Sequence, residues 1–264
     1  MESPSVPYCG VAVMAKASRA GSAKTSLCPP LTPEEAADLN TAFLRDAADN
    51  LAAAAAETSL AGAMAFGPRG STGFFRAILP GHLALHEICY ADYGDSLREA
   101  MRSQFEAGHR AACILSPDSP TLPTDLLAEM VEVLFRPGER AVLGPSIDGG
   151  YYLLACKTLH PRLFKDIAWS TAAVAAQTLE QAALIGLPVH VLPEWYGVSD
   201  CSSLKLLAGE VLDGWTFSSH FRSQPALHSS ALLKTLFGTA NLEERMEGFT
   251  RERKARVQRG RAAA

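Results

Sequence analysis

A short segment, 16–25, carries residue types that could bind phosphate. It follows an apolar run, 8–14, and precedes a helix signature, and it contains three cations and one glycine: Lys16, Arg19, Lys24 and Gly21. Backbone amides and the helix dipole favour an anion at such a junction, and lysine is a suitable counter-charge. The P-loop pattern is not met, because Ser18 and Ala23 stand where it requires glycine. We predict a phosphate-binding loop, with an ordinary solvated basic loop as the alternative.

An aspartate follows the buried apolar run Ala111–Leu115, which we predict to be a strand. Asp118 lies between Pro117 and Pro120, so its carboxylate would be fixed at the end of that strand. Magnesium commonly takes one or two protein carboxylates and completes its coordination with water and substrate phosphate. The alternative is a simple turn, since Asp and Pro are also turn formers.

The run 144–152 places paired glycines beside an acid and two tyrosines. Gly149 and Gly150 permit a close backbone approach or a positive φ, and Asp148 could bond a hydroxyl or amine of a ligand. The pattern favours a ligand surface over a plain turn between strands.

Other catalytic patterns are absent. His82 and His86 do not form an HExxH zinc pattern, because Glu87 lies outside the pair. The segment 70–73 is not the nucleophile elbow of the hydrolases. Nothing in the sequence indicates a covalent nucleophile.

The elements that must position these residues alternate along the chain. Thr32 and Glu35 predict a capping box around Pro33, opening a helix that runs to about Glu57. Further strands are predicted at 60–66, 111–115, 141–143, 151–155 and 189–192, and further helices at 97–105, 126–134 and 171–185. This alternation predicts an α/β fold with a twisted, mostly parallel sheet covered by helices on both faces. Ligands bind such sheets at the carboxyl ends of the strands, near a topological switch.

Composition sets the broad class. The chain has 264 residues, of which 48% are hydrophobic and 20% are charged, which excludes a disordered chain, a coiled coil and a disulfide scaffold. Its six cysteines form no CxxC pair, as expected of reduced thiols. No apolar run approaches the roughly 20 residues of a membrane span. We predict a cytoplasmic protein without a membrane span.

Charge is unevenly distributed. Six basic residues and one acid lie within 251–261, so the rest of the molecule is clearly acidic and would repel a polyanion. We therefore predict no nucleic-acid partner and a solvated basic tail. A boundary near residue 213 separates a main α/β domain, 1–213, from a C-terminal appendage, 214–264, with one short helix at 226–237.

Four runs, taken in order, resemble a known family. They are the loop 16–27, the Pro-Asp-Ser-Pro segment 117–120, the run 142–153 and the segment 163–171. Together they resemble the bacterial selenodomain-associated transferases, a group of GT-A-type glycosyltransferase-like proteins, over about residues 8–210. The resemblance implies a GT-A nucleotide-diphosphosugar-transferase fold. It also implies metal-dependent glycosyl or nucleotidyl transfer, from a nucleoside triphosphate or nucleotide sugar to a small acceptor.

Site roles follow from the same resemblance. The nucleotide-binding residues would be Lys16, Arg19, Gly21, Lys24 and Thr25. The catalytic residues would be Asp118 and Lys24, and the ligands of Mg²⁺ or Mn²⁺ would be Asp118 and Asp200. The acceptor-binding residues would be Asp148, Gly149, Gly150 and Tyr151. Trp169 is expected to be a packing residue beside Ser170 and Thr171, which would cap the next helix.

The chain departs from the family at three places. Ser26 replaces an arginine, Ser18 replaces a proline, and the late Asp-Val-Asp segment reads Gly197-Val198-Ser199, with Asp200 one position later. A shift of one residue in extended chain turns a side chain to the opposite face. These departures support a second hypothesis, a degenerate member that binds a nucleotide or a partner without turnover.

Overall fold

The computed structural model describes residues 8–90 and 92–251, and its centre is a seven-stranded sheet of order β3-β2-β1-β4-β6-β5-β7. The strands are β1 Cys9–Lys16, β2 Leu60–Gly67, β3 Ala84–Glu87, β4 Ala111–Leu115, β5 Ala141–Pro145, β6 Tyr151–Cys156 and β7 Val189–Val191. Each neighbouring pair is parallel except the two that β6 makes with β4 and β5. The mostly parallel α/β sheet predicted from the sequence is confirmed.

Helices cover both faces of this sheet. They are α1 Pro33–Glu57, α2 Thr72–Ile78, α3 Tyr93–Glu106, α4 Thr124–Phe135, α5 Val174–Leu184, α6 Cys201–Asp213 and α7 Leu227–Thr239, and a further helical segment covers 242–251. Val11 and Val13 belong to a buried cluster shared with α1, α4, α6 and α7, whereas Ala12 belongs to a second cluster shared with α3 and α5. Successive side chains of a strand point to opposite faces, so β1 is buried on both sides.

The start of α1 follows the predicted capping box. The Thr32 hydroxyl accepts from the Glu35 amide at 3.2 Å, and the Thr32 amide donates to the Glu35 carboxylate at 2.8 Å. Pro33 occupies the first helical turn, where its missing N–H costs nothing. The helix therefore begins at a defined residue directly after the loop that leaves β1.

The strand order changes direction at β1. The chain moves from β1 outward to β2 and β3, then returns to β4 on the other side of β1. In open α/β sheets this topological switch leaves a crevice at the carboxyl ends of the two strands. Lys16 ends β1 and Leu115 ends β4, so the two loops predicted to bind ligand begin at that crevice.

The C-terminal part packs on α1. Asp46 is 1% exposed, and its carboxylate accepts from the amides of His228 and Ser229, both at 2.9 Å, at the start of α7. Arg245 forms two hydrogen bonds of 2.9 Å with Glu35. Buried side chains beyond residue 213 join the same hydrophobic cluster as α1: Leu233, Leu236, Leu242 and Met246. The division into 1–213 and 214–264 stays a prediction, and the basic tail beyond Arg251 lies outside the described residues.

The start of α5 differs from the sequence prediction. We expected Ser170 and Thr171 to cap a helix from 171, but α5 begins at Val174 and Ala173 precedes it without a side-chain cap. Ser170 has a φ of 65°, and the Thr171 hydroxyl donates to the Ala168 carbonyl at 2.7 Å. The Ser170 backbone and the Thr171 hydrogen bond form a separate turn before the helix.

Among the described residues, no helix combines the length and apolar character needed to cross a membrane.

Candidate functional site

A cleft of about 600 Å³ opens at the carboxyl edge of the sheet. Loops following β1, β4 and β5 contribute to its lining, as do the segments preceding α5 and α6. The polar and aromatic side chains that matter most for its chemistry are Asp118, Asp148, Tyr151, Tyr93, Trp169 and Ser199. With Tyr93 and Leu97 of α3, the cleft therefore brings together residues from six separate parts of the chain.

Lys24 and Asp118 form an ion pair in this region. The Lys24 ammonium donates to the Asp118 carboxylate, across 94 residues of sequence. The Lys24 side chain is only 8% exposed, whereas that of Asp118 is 41% exposed. The Phe43 ring of α1 lies 4.7 Å from the ammonium, within cation–π distance. A cation is thus held deep in the site, beside a carboxylate that remains open to solutes.

The loop that carries Lys24 is anchored on α1. The Asn40 amide donates to the Lys16 carbonyl at 2.8 Å and to the Ser18 hydroxyl at 2.9 Å. The Thr41 hydroxyl donates to Ser18 at 2.8 Å. Ser18, where the family resemblance leads one to expect proline, therefore fixes the base of the loop through hydrogen bonds.

The predicted nucleotide-binding residues separate into two groups. Lys24, with a left-handed φ of 51°, turns to Asp118. Lys16 and Arg19 are exposed and make no ion pair with any described residue, and Thr25 is exposed as well. None of the five predicted residues lines the cleft itself, and Lys24 reaches it only through its bond to Asp118. Ser26 lines it instead, from the 3-10 turn Thr25–Leu27. Gly21 has a φ of 72°, which suits glycine at the tip of this loop.

The predicted acceptor turn joins β5 to β6. Gly149 has a φ of 86°, and a Cβ there would lie 2.1 Å from the Ala172 carbonyl oxygen. The Ala175 amide donates to the Gly149 carbonyl at 2.9 Å, so the turn is clamped against the start of α5. The Gly150 amide donates to Asp148 at 3.0 Å, which orients the aspartate at the cleft that Asp118 also lines.

The segment 197–199 runs beside Asp118. The Val198 amide donates to the Asp118 carbonyl at 2.7 Å, and the Val198 side chain is buried. A Cβ on Gly197 would lie 3.8 Å from the Asp118 Cβ, and Ser199 lines the cleft. Residues 197 and 199, which lie beside Asp118, are thus a glycine and a serine, and neither provides a carboxylate.

Asp200, predicted as a second metal ligand, caps α6. Its carboxylate accepts from the Ser203 amide and from the Ser203 hydroxyl, both at 2.8 Å. Asp200 does not line the cleft, whereas its neighbour Ser199 does. The structure therefore brings Asp118 and Asp148 to one cleft and places the Asp200 side chain on a helix cap.

Two buried hydroxyls at the site have no partner among the described residues. Ser146 is 7% exposed, and neither its hydroxyl nor the buried Tyr151 hydroxyl makes a hydrogen bond with any of them. Burial raises the pKa of Tyr151 well above its usual range. Both residues line a small pocket of about 90 Å³ that also includes Asp118, Asp148 and Ser199. Unpaired buried polar groups are uncommon and call for a partner.

This small pocket offers oxygen ligands. Magnesium and manganese prefer carboxylate and other oxygen donors, and magnesium keeps several waters. Asp118, Asp148 and the Ser146 hydroxyl, which all border this pocket, are oxygen donors of the type that a hydrated divalent cation takes.

One further cluster of potential metal ligands exists among the described residues, formed by Asp46, Asp49 and His228. Asp46 is already bonded at the start of α7, and His228 lies 3.2 Å from Asp49. None of the three lines the cleft. The cluster could hold an ion, but its visible role is to join α7 to α1.

Sequence reasoning missed part of the site. Ser146 and Ser199 gave no signal of their own, since serines are common in loops. Trp169, expected to be a packing residue, does contact the Tyr93 ring, at 5.5 Å between centroids, yet both rings also line the cleft. The Trp-Ser-Thr run was itself part of the family resemblance, so its site role could have been inferred.

A second cleft of about 610 Å³ adjoins the first at Trp169. Its lining includes Arg98, paired with Asp95 at 2.9 Å, and Arg162, which lies 3.8 Å from Asp166. The charged residues of its lining are balanced, three acids against three bases.

Comparison with known proteins gives a family match over part of the chain. Residues 50–171 match a family described as uncharacterized proteins conserved in bacteria, DUF2064. The match includes Asp118 and the turn 148–150 but not Lys24. No curated protein matches the chain.

Solved structures show similarity over most of the chain. A candidate nucleotide-diphospho-sugar transferase from Desulfovibrio desulfuricans G20 is 26% identical, with a TM-score of 0.74 over 90% of this chain and 97% of that one. The CTP complex of CMP:2-keto-3-deoxy-manno-octonic acid synthetase is 11% identical, with a TM-score of 0.49 over 78% and 99%. A cytidylyltransferase from Leptospira borgpetersenii is 10% identical, with a TM-score of 0.48 over 89% and 96%. The chain thus has a mixed α/β fold like that of the nucleotide-diphospho-sugar transferases.

Proposed function

We propose that this protein is a transferase that takes a nucleoside triphosphate or nucleotide sugar as donor and passes a nucleotidyl or glycosyl group to a small acceptor. The observation that carries the proposal is the buried Lys24 ammonium on Asp118, at the topological switch of the sheet. A similar fold is found in a candidate nucleotide-diphospho-sugar transferase. The reduced thiols and the lack of a membrane-spanning run in the sequence favour the cytoplasm as its place of action.

The chemistry needs a site that neutralises charge on a leaving phosphate and holds the acceptor in line. Positioning and fixed electrostatics carry most of such a reaction. Lys24 supplies a positive charge that is already ordered by Asp118 and Phe43. Lys16 and Arg19, both exposed on the same loop, would contact the outer phosphates or the nucleoside.

The acceptor would lie at the turn between β5 and β6. Asp148 is oriented by the Gly150 amide and can accept a hydrogen bond from an attacking hydroxyl or amine. Gly149 allows the backbone to approach the start of α5 closely. The Tyr93 and Trp169 rings meet edge to face and both line the cleft, so the face of either ring could stack on a sugar or base.

A divalent cation, Mg²⁺ or Mn²⁺, would be held by Asp118, with Asp148 and Ser146 beside it, and would neutralise phosphate charge when bound. Asp200 would join only by leaving its cap on α6. The residues of this chain then orient the donor and acceptor around the cation.

A specific observation favours a second candidate function, a nucleotide-binding protein without turnover. Gly197 and Ser199 occupy the positions beside Asp118, so the site has no carboxylate there. A donor could bind to Lys24 in such a site while the metal is held too weakly for transfer.

Thermal unfolding with a panel of nucleoside triphosphates and nucleotide sugars, with and without Mg²⁺, tests the proposal. A ligand at a hundred times its Kd stabilises a protein by about 2.7 kcal/mol, so a clear rise in Tm is expected for the correct donor. Asp118→Ala should remove the metal dependence of this shift. Asp38→Ala, an exposed acid of α1, is the matched control and should behave like the native protein.

The outcomes separate the candidates. If no nucleotide or nucleotide sugar changes the Tm, both the transferase and the nucleotide-binding proposals fail. If a donor binds, release of pyrophosphate or nucleoside diphosphate with an acceptor panel identifies a transferase, and its absence across the panel favours the binding protein.

A further inference from the structure

We infer that Lys24 acts as an internal cation that keeps a divalent metal off Asp118 until the donor phosphate arrives. The inference rests on the proposed function and deepens it, because it assigns Lys24 two successive partners. The ammonium binds Asp118 in the empty site, then moves to the phosphate and leaves the carboxylate to the metal.

The Lys24 ammonium is held in place by its surroundings. The Lys24 side chain is 8% exposed and lies between the Asp118 carboxylate and the Phe43 ring. Its backbone is in the left-handed region, with a φ of 51°, at the start of a 3-10 turn. A mobile surface lysine would not be enclosed in this way.

A metal ion and the Lys24 ammonium would compete for the Asp118 carboxylate. Asp118 is 41% exposed, so a metal ion can reach it, but an ammonium already occupies one oxygen. Two cations on one carboxylate repel each other, and they do so more strongly in a partly enclosed cleft than in water. Ser146 and Ser199 are neutral and do not offset this repulsion, so Asp148 is the only other carboxylate among the described residues that line the small pocket.

The small pocket lined by Asp118 and Ser146 leaves a place for the ion. The Ser146 hydroxyl is buried, has no hydrogen-bond partner in the described part of the chain and borders the same small pocket as Asp118. A buried hydroxyl without a partner is costly, and a hydrated cation would provide one. A donor phosphate adds negative charge on the cleft side, which attracts the ammonium and supplies the remaining metal ligands.

The test compares two simple probes, Mn²⁺ alone and inorganic pyrophosphate alone, by titration calorimetry. Lys24→Met should bind Mn²⁺ at least tenfold more tightly than the native protein, which corresponds to about 1.4 kcal/mol. The same variant should lose at least tenfold in affinity for metal-free pyrophosphate. Lys234→Met removes an exposed lysine of α7 and should change neither affinity.

Two further variants locate the ion and guard against misfolding. Lys24→Gln keeps a polar side chain without charge and should repeat the Mn²⁺ gain if Lys24→Met folds poorly. Adding Asp118→Asn to either variant should abolish the gained Mn²⁺ binding. Retention of that binding would place the ion elsewhere, for example at Asp46 and Asp49, and would overturn the inference.

The failure of the inference can be told from the failure of the proposed function. Equal Mn²⁺ affinity in the native protein and both Lys24 variants would refute the internal-cation role, even if pyrophosphate binds. If pyrophosphate binds neither with nor without Mn²⁺, the donor-binding proposal fails, whereas the Mn²⁺ comparison still decides whether Lys24 blocks the metal.

Discussion

At the residue scale, Gly149 is the position where the site tolerates least change. Its φ of 86° and the 2.1 Å gap between an added Cβ and the Ala172 oxygen both exclude a side chain. We expect Gly149→Ala to lower the free energy of unfolding by about 1–3 kcal/mol, measured by urea denaturation. Gly73→Ala, in α2 with open space around it, should be neutral or stabilising because alanine favours helix. Equal losses for the two variants would contradict the close contact.

Ser146 should behave in the opposite way, because its hydroxyl is buried without a partner. We expect Ser146→Ala to leave the unfolding free energy unchanged or to raise it by up to about 1 kcal/mol, while Mn²⁺ and donor affinity fall. Ser229→Ala is the comparison, since that buried hydroxyl donates to Asp46. Its loss should cost about 1.5–3 kcal/mol, the usual range for a bond to a charged group. A large stability loss for Ser146→Ala would mean that its hydroxyl does have a partner.

Sequence reasoning identified Lys24 and Asp118 because each follows a strand that ends at the sheet edge. It could not identify their exact neighbours. Ser199 reaches Asp118 only because β7 pairs with β5 and the chain then returns along the edge of the sheet. Such an approach depends on strand order, which local residue patterns do not encode.

At the element scale, Arg245 links the C-terminal helical segment to the start of α1. Burial alone would raise the pKa of Glu35, but the Arg245 guanidinium and the Thr32 amide outweigh it, so this pKa lies below its usual value. Stability from this carboxylate is therefore present above the usual glutamate pKa and is lost as pH falls through the lowered value.

We expect Arg245→Met to reduce the unfolding free energy by about 1–3 kcal/mol at neutral pH. The difference from the native protein should shrink toward acid pH, as Glu35 becomes protonated in both. Arg251→Met, which removes an exposed guanidinium, should have little effect at any pH. A difference independent of pH would mean that Arg245 contributes by packing alone.

Strong local signals predicted most elements well. The capping box at Thr32 and the apolar runs of β1, β2 and β4 appear in the structure close to their predicted bounds. The four-residue edge strand β3 was missed because its side chains are only partly buried or exposed. The start of α5 was misplaced because Ser170 and Thr171, both typical capping residues, form a preceding turn instead.

At the scale of the whole molecule, the C-terminal part shares the main core. Leu233, Leu236, Leu242 and Met246 are buried in the cluster that contains α1, and burying one such side chain contributes about 1.5–3 kcal/mol. We expect a chain ending at residue 213 to unfold several degrees lower than one ending at 251, or to aggregate, in thermal unfolding followed by circular dichroism. Equal melting temperatures would support the division into separate domains at 213.

The backbone hydrogen bond from Val198 to the Asp118 carbonyl means that carboxylates can be added to this site by substitution. Since that bond holds residues 197 and 199 alongside the aspartate, acidic side chains introduced there would enter the cleft without any rebuilding of the chain. One substitution at position 197 or 199 would thus place a second carboxylate beside Asp118, where a divalent cation could bind both.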